Sequence, residues 1–283
     1  MKLTKLLALL FAFALVVAAC GDDDTATTTD DGAAAAGCEP LPTKTDGVLT
    51  VATGEVVFPP WMIDDDPTSE QGFESALVYA VAAELGVDTV DWVRTGFDEA
   101  IAPGEKSYDF NIQQYSITSD RDEVVDFSDG YYVVEQVIIG AADGSVAGAT
   151  SIADLADVQL GAAIASTSLD YIESEIDSSS VPLAFDDNAA AKSAFEAGQV
   201  DGIVFDRPTA YYITSVEIPE ASIIGVLPRA GGATEELGML FEEGSPLVEC
   251  VNEALTTLRD NGTIEGLEDE WLNEGGAIPT LTN

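Results

Sequence analysis

Apolar positions along residues 39–275 follow two periods, short β-branched runs and longer helical stripes. Residues 48–53 read as a strand, and the Phe58-Pro59-Pro60-Trp61 segment after them as a proline-broken loop. A helix is expected over 74–85, with Ala76, Val78, Tyr79, Ala82 and Ala83 on its apolar positions and Gly86 as its stop. A short strand at 91–93, a short helix at 98–101 ended by Pro103-Gly104, and a strand at 108–112 complete this half. The pattern restarts after Val134. A strand lies within 155–164, a helix at 167–175, a strand at 181–185, a helix at 188–197 and strands at 202–205 and 238–241. Helices at 246–260 and 264–272 close the region. Strands alternating with helices imply α/β sheets with helices on both faces, which bind ligands beyond the C-terminal ends of the strands. The length is too great for one small core and suits two modest lobes.

The N-terminus has a different pattern. Lys2 and Lys5 precede an apolar run, residues 6–17, and then Ala18-Ala19-Cys20. A positive start, a short apolar middle and small residues at the end describe an export signal, too short for a membrane span. Val17-Ala18-Ala19-Cys20 resembles the lipobox of bacterial lipoproteins, which implies a signal peptide at 1–19 and lipidation of Cys20. The acidic, Ala- and Thr-rich stretch after it, within 20–38, predicts a disordered tether. The chain is therefore expected on the outer face of the bacterial cytoplasmic membrane, held by its lipid.

Composition sharpens this picture. The chain has 52 acids against 10 Lys and Arg and no His, for a formal net charge of −42. Acids spread over the whole chain repel nucleic acid and anionic membranes and keep the surface soluble at high salt. The lack of His removes Ser-His-Asp and Cys-His catalysis and the common His metal sites. No phosphate loop, dinucleotide fingerprint or Cys-x-x-Cys pair is present, so neither cofactor nor metal is expected. Cys38 and Cys250, exposed to an oxidising exterior and without metal-ligand spacing, are expected to form a disulfide.

Among so few cations, Arg121 ends a small-polar run, Ser116-Ile117-Thr118-Ser119-Asp120-Arg121. A guanidinium beside hydroxyls and backbone N–H groups suits a small carboxylate, because its planar fork donates two parallel hydrogen bonds. A surface pair with Asp120 or Asp122 is the plainer alternative. Trp61, Tyr79, Trp92, Tyr108, Tyr171 and Trp271 read as core or lobe-surface aromatics.

The order of motifs resembles the extracellular solute-binding proteins of polar amino-acid ABC transporters. It covers residues 46–275 and rests on Gly47–Thr53, Phe58-Pro59-Pro60-Trp61, Gly72-Phe73-Glu74 and the run ending at Arg121. Val125-Asp126-Phe127-Ser128, Tyr131-Tyr132, Gly198-Gln199-Val200-Asp201-Gly202, Asp206, Asn261-Gly262-Thr263-Ile264 and Trp271-Leu272 continue it. The resemblance implies a two-lobed periplasmic-binding-protein-like (type II) α/β fold with the ligand between lobes. Lobe 1 would comprise 39–132 plus 236–275 and lobe 2 133–235, with 276–283 as a C-terminal tail.

The resemblance also implies residue roles. Arg121 and Ser116 would hold an amino acid's α-carboxylate, and Ser166 with Thr167 would close on it from lobe 2. Asp206 and the Gln114 carbonyl would take the α-ammonium. Phe58 and Phe97 would wall the side chain, and Glu55 would touch its polar end. Ala165 stands where many members carry Gly, and Ser166 replaces their Thr. The implied partners are a free amino acid, polar or basic, and ABC permease subunits with their ATPase, for a monomeric, membrane-anchored protein. An amino-acid sensor feeding a receptor, a cleft dehydratase and a purely structural lipoprotein are the competing readings.

Overall fold

In a computed structural model of the chain, residues 38–272 and 276–283 are described. The expected signal peptide, the lipidation of Cys20 and nearly all of the tether lie outside them.

Two five-stranded sheets organise these residues. The first has the order β2-β1-β3-β12-β4, built from β1 (Leu49–Thr53), β2 (Val90–Arg94), β3 (Phe110–Asn111), β4 (Val125–Phe127) and β12 (Leu240–Glu242). β2, β1 and β3 run parallel, and β12 is antiparallel to both β3 and β4. The second sheet has the order β10-β6-β9-β7-β8, from β6 (Gln136–Ala141), β7 (Leu160–Ala163), β8 (Leu183–Phe185), β9 (Gly202–Asp206) and β10 (Ala221–Val226). Its β9, β7 and β8 are parallel, and β6 is antiparallel to β9 and β10. The chain passes between the sheets twice, through β5 (Tyr132–Val134) and β11 (Glu235–Leu237), which pair antiparallel with Glu235 opposite Val134.

Helices cover the sheets. α1 (Phe73–Glu84) and α2 (Phe97–Ile101) belong to the first half, and α3 (Thr167–Glu175), α4 (Asn188–Glu196) and α5 (Arg207–Tyr212) to the second. α6 (Leu247–Asp260) and α7 (Thr263–Trp271) return to pack on α1. That core joins Leu49, Val51, Leu77, Phe110, Phe241 and Val251. The second sheet is apolar on both faces. Val137 and Ile139 of β6 and Ile203 and Phe205 of β9 enter one cluster, while Ile138 and Val204 enter the other, as the two-residue period of a strand requires.

Those strands explain what the sequence reading lacked. β4, β5, β6, β10, β11 and α5 were not among the expected elements; β6 is buried on both faces and so shows no polar–apolar alternation, and the others are short or half-buried. The strand expected at 108–112 shortens to β3. The helix at 167–175 is found with its expected bounds.

Cys38 and Cys250 form the expected disulfide, with an S–S distance of 2.04 Å and a separation of 212 residues. Closing so long a loop is worth about 5 kcal/mol in the chain-entropy model. The C-terminal residues do not hang free. The N–H of Val226 donates to Pro279 at 2.9 Å and that of Leu281 returns to Val226 at 2.9 Å. Leu281 is buried in a cluster of the second sheet. Gly225 makes this possible, since a Cβ there would lie 2.8 Å from the Leu281 side chain.

Entry into α1 depends on Gly72, at φ 94° and ψ 153°. That region is essentially closed to side chains, and a Cβ would stand 2.6 Å from the Trp61 carbonyl oxygen. Gly72→Ala should therefore lower stability by about 2–3 kcal/mol, measured by urea unfolding with an unchanged m-value. A loss below about 0.5 kcal/mol would show that the backbone relaxes there without cost.

Candidate functional site

Nearly all of the expected site residues stand on loops or helix starts that follow strand ends. Val56 and Phe58 follow β1, Phe97 opens α2 after β2, and Gln114 and Ser116 follow β3, with Arg121 in the turn before β4. From the second sheet, Ser166 and Thr167 follow β7, Asp187 and Asn188 follow β8, and Asp206 ends β9. These residues line one cavity of about 60 Å³, several times the roughly 10–15 Å³ that one water needs. Of the residues expected in the site, Phe58, Phe97, Gln114, Ser116, Arg121, Ser166, Thr167 and Asp206 line it. Glu55 does not: its side chain is exposed, and its neighbour Val56 faces the cavity. Glu55 lies in the loop after β1, where no periodicity says which side chain turns to the cavity.

Arg121 is only 7% exposed, which rules out the surface pair with Asp120 or Asp122. Its Nη1 donates to the Ser116 carbonyl at 2.7 Å and its Nη2 to the Ala165 carbonyl at 2.8 Å. The second of these bonds crosses the cleft. The guanidinium carbon lies 5.5 Å from the centre of the Phe97 ring, and that ring stacks on Tyr115 at 4.5 Å. Phe97 is thus a platform for the cation. Burial is the main effect on the guanidinium and lowers its pKa, while Tyr115, Asp170 and Asp206 oppose the shift. With two N–H groups used on carbonyls, the remaining donors have no protein carboxylate to meet among the described residues.

Asp206 sits across the cavity. It keeps some contact with the cavity interior, yet lies deep in the protein, and burial raises its pKa to about 7. The Gln136 side-chain amide donates to it at 2.5 Å and opposes that shift, as do Arg121 and Arg229, while Glu74 adds to it. Arg207, the neighbour that the sequence suggested as a competing partner, instead pairs with Glu135 at 2.5 Å. Asp206 ends β9 and Arg207 opens α5, so the chain changes direction between them and the two side chains part.

Three local devices hold these groups. Gln114 takes φ 53°, and its N–H and side-chain amide both donate to Glu74. Ala165 takes φ 58°, the left-handed conformation that glycine adopts at no cost, which gives a physical meaning to the alanine that stands where glycine is common. Ser166 caps α3 by accepting from the Leu169 N–H at 3.1 Å, and its hydroxyl donates to Ala163 at 2.6 Å. That hydroxyl is therefore engaged by the protein. The first N–H groups of α3, at Thr167 and Ser168 on the cavity wall, have no acceptor within the helix, which suits a carboxylate.

Glu235, on the crossing strand β11, was not anticipated. It is buried, accepts from the hydroxyls of Ser116 and Thr167, and pairs with Arg229. Ser116 comes from the first half and Thr167 from the second, so one carboxylate ties both walls together. Trp61 adds another tie, its indole N–H donating to the Thr209 hydroxyl at 2.8 Å. Sequence alone gave no signal for Glu235, one acid among 52.

Beneath the cavity, Glu74 is fully buried and accepts from the Gln114 N–H at 2.8 Å and from the Tyr131 hydroxyl at 2.5 Å. Burial outweighs those bonds and raises its pKa from an ordinary 4.5 to about 7. A carboxyl whose folded pKa exceeds its unfolded one holds an extra proton in the native state between those values. Its contribution to stability therefore falls as pH rises from about 5 to about 8. Glu74→Gln removes that slope. The stability of the variant relative to the wild type, from urea unfolding of ligand-free protein, should improve by about 2 kcal/mol between pH 5 and pH 8. Parallel profiles would mean that Glu74 ionises as if exposed.

Comparison with known proteins agrees with this geometry. The family model described as bacterial extracellular solute-binding proteins, family 3, matches residues 49–274. The L-cystine-binding protein TcyJ of Escherichia coli (strain K12) is 23% identical over 232 residues, covering 81% of this chain and 84% of that protein. The L-cystine-binding protein TcyA of Bacillus subtilis (strain 168) is 25% identical over 246 residues, covering 82% and 83%. Among solved structures, an ancestral arginine-binding protein bound to glutamine superposes with a TM-score of 0.69 at 28% identity, covering 81% of this chain and all of that one.

Proposed function

The chain belongs to the bacterial extracellular solute-binding proteins of family 3, and from that premise we propose that it captures a free amino acid, polar or basic, and delivers it to an ABC importer. One observation carries the reading: Arg121 and Asp206 line a single buried cavity from loops of different sheets. A zwitterion leaving water needs both ends paired, because an unpaired buried charge costs several kcal/mol. The α-carboxylate takes the free donors of Arg121 and the N-terminal N–H groups of α3. The α-ammonium takes Asp206, which ionises fully when that charge arrives. The relatives named above bind amino acids according to their own names, which supports this ligand class.

In this reading the lobes are 39–132 with 236–275 and 133–235, hinged at β5 and β11. Cys20 carries the lipid that holds the protein, a monomer, at the outer face of the membrane, and 20–38 is its tether. The cleft binds and releases its ligand unchanged. No His is available for acid–base work, and no observation favours a dehydratase or a receptor-linked sensor over capture for transport.

The test is a thermal-shift screen of residues 38–283 against the twenty amino acids and ornithine. A ligand at 100 times its Kd adds about 2.7 kcal/mol, enough to raise the transition clearly. Arg121→Ala should weaken that ligand by well over tenfold, about 1.4 kcal/mol or more, while the variant still unfolds cooperatively. If no amino acid shifts the transition, or if the variant binds as the wild type does, the reading is wrong.

A further inference from the structure

Three ionisable side chains line the cavity: Arg121, Asp206 and Asp187. A zwitterion, as proposed above, neutralises the first two and leaves the third. Asp187 stands at the start of α4, just after β8, the edge strand of the second sheet. Strand β7 lies between β8 and β9, the strand that ends in Asp206. With strands about 4.8 Å apart, the ends of β8 and β9 are about 10 Å apart across the sheet, and Asp187 stands just beyond the first of them. That separation matches an amino acid whose side chain extends away from its α-ammonium and ends in a second charge.

The protein leaves Asp187 available. One of its oxygens accepts the Ala190 N–H at 2.7 Å to cap α4. Among the described residues it has no ion pair. Arg94, which ends β2, is already spent, donating to Asp65 Oδ1 at 2.7 Å and to the carbonyls of Gly54 at 2.5 Å and Asp65 at 2.6 Å. Asn188, the next residue, also lines the cavity and offers an amide oxygen as a further acceptor.

We infer that Asp187 is the specificity residue of this site and that it selects an amino acid with a cationic side chain, a guanidinium or an ammonium. The inference rests on the zwitterion reading and adds a net charge of +1 to the ligand. Asp187 stands at the cavity mouth, partly in water, so it discriminates by charge without demanding full burial of the cationic group. Its partner is the end of a long side chain, which keeps part of its hydration.

Isothermal titration with arginine, lysine, ornithine, glutamine and cystine tests this, on the wild type and on Asp187→Asn. Asparagine caps helices as well as aspartate does, so the variant keeps α4 and removes only the charge. The expected result is a basic amino acid bound at least tenfold tighter than glutamine, with that preference cut at least fivefold in the variant. A neutral amino acid bound tightest, or the same preference in the variant, overturns the role of Asp187 while leaving amino-acid capture intact. If none of the five binds, the inference falls. Arg121→Ala in the same titrations separates the two levels, since it must weaken basic and neutral amino acids alike.

Discussion

A guanidinium and a carboxylate taken out of water in one narrow cavity each carry a desolvation cost of several kcal/mol, and here the two do not pair directly, so each relieves the other only in part. Arg121 turns two of its donors to carbonyls. Asp206 has a neutral amide as its hydrogen-bonding partner and a pKa raised to about 7. The rest of the architecture follows from this constraint. The groups come from separate sheets, so the cost is incurred only when the sheets approach. A zwitterion placed between them supplies the opposite charge at each end. On this account closure is favoured by ligand and disfavoured without it, which is the hinge behaviour expected when a ligand binds one conformation better than another.

The contacts that do not need a ligand set the balance against which that reward acts. Glu235 gathers hydroxyls from both walls, and Trp61 reaches Thr209 across the cleft. The neutral bond contributes on the order of 1 kcal/mol, and those to the Glu235 carboxylate about 1.5–3 kcal/mol each. The C-terminal residues add to the second half, with Leu281 buried against its sheet.

Much of this was legible in the sequence. The run ending at Arg121 announced itself because cations are scarce, and α3 appeared with its expected bounds because Ser166 caps it and its apolar positions keep helical spacing. The resemblance supplied Asp206 and the lobes, which no local pattern yields. What escaped did so for physical reasons. β6 is buried on both faces and carries no alternation. Glu55 lies in a loop, where no periodicity says which side chain turns to the cavity. Glu235, Asp187 and Gln136 are ordinary polar residues whose significance lies in what tertiary packing brings beside them.

Small-angle scattering of residues 38–283 with and without a saturating amino acid tests the central claim most directly. If opposite buried charges oppose closure until a zwitterion joins them, the radius of gyration falls when ligand is added, and Asp206→Ala abolishes the fall. Calorimetric binding with no change in the radius of gyration, or the same compaction in Asp206→Ala, would contradict the account.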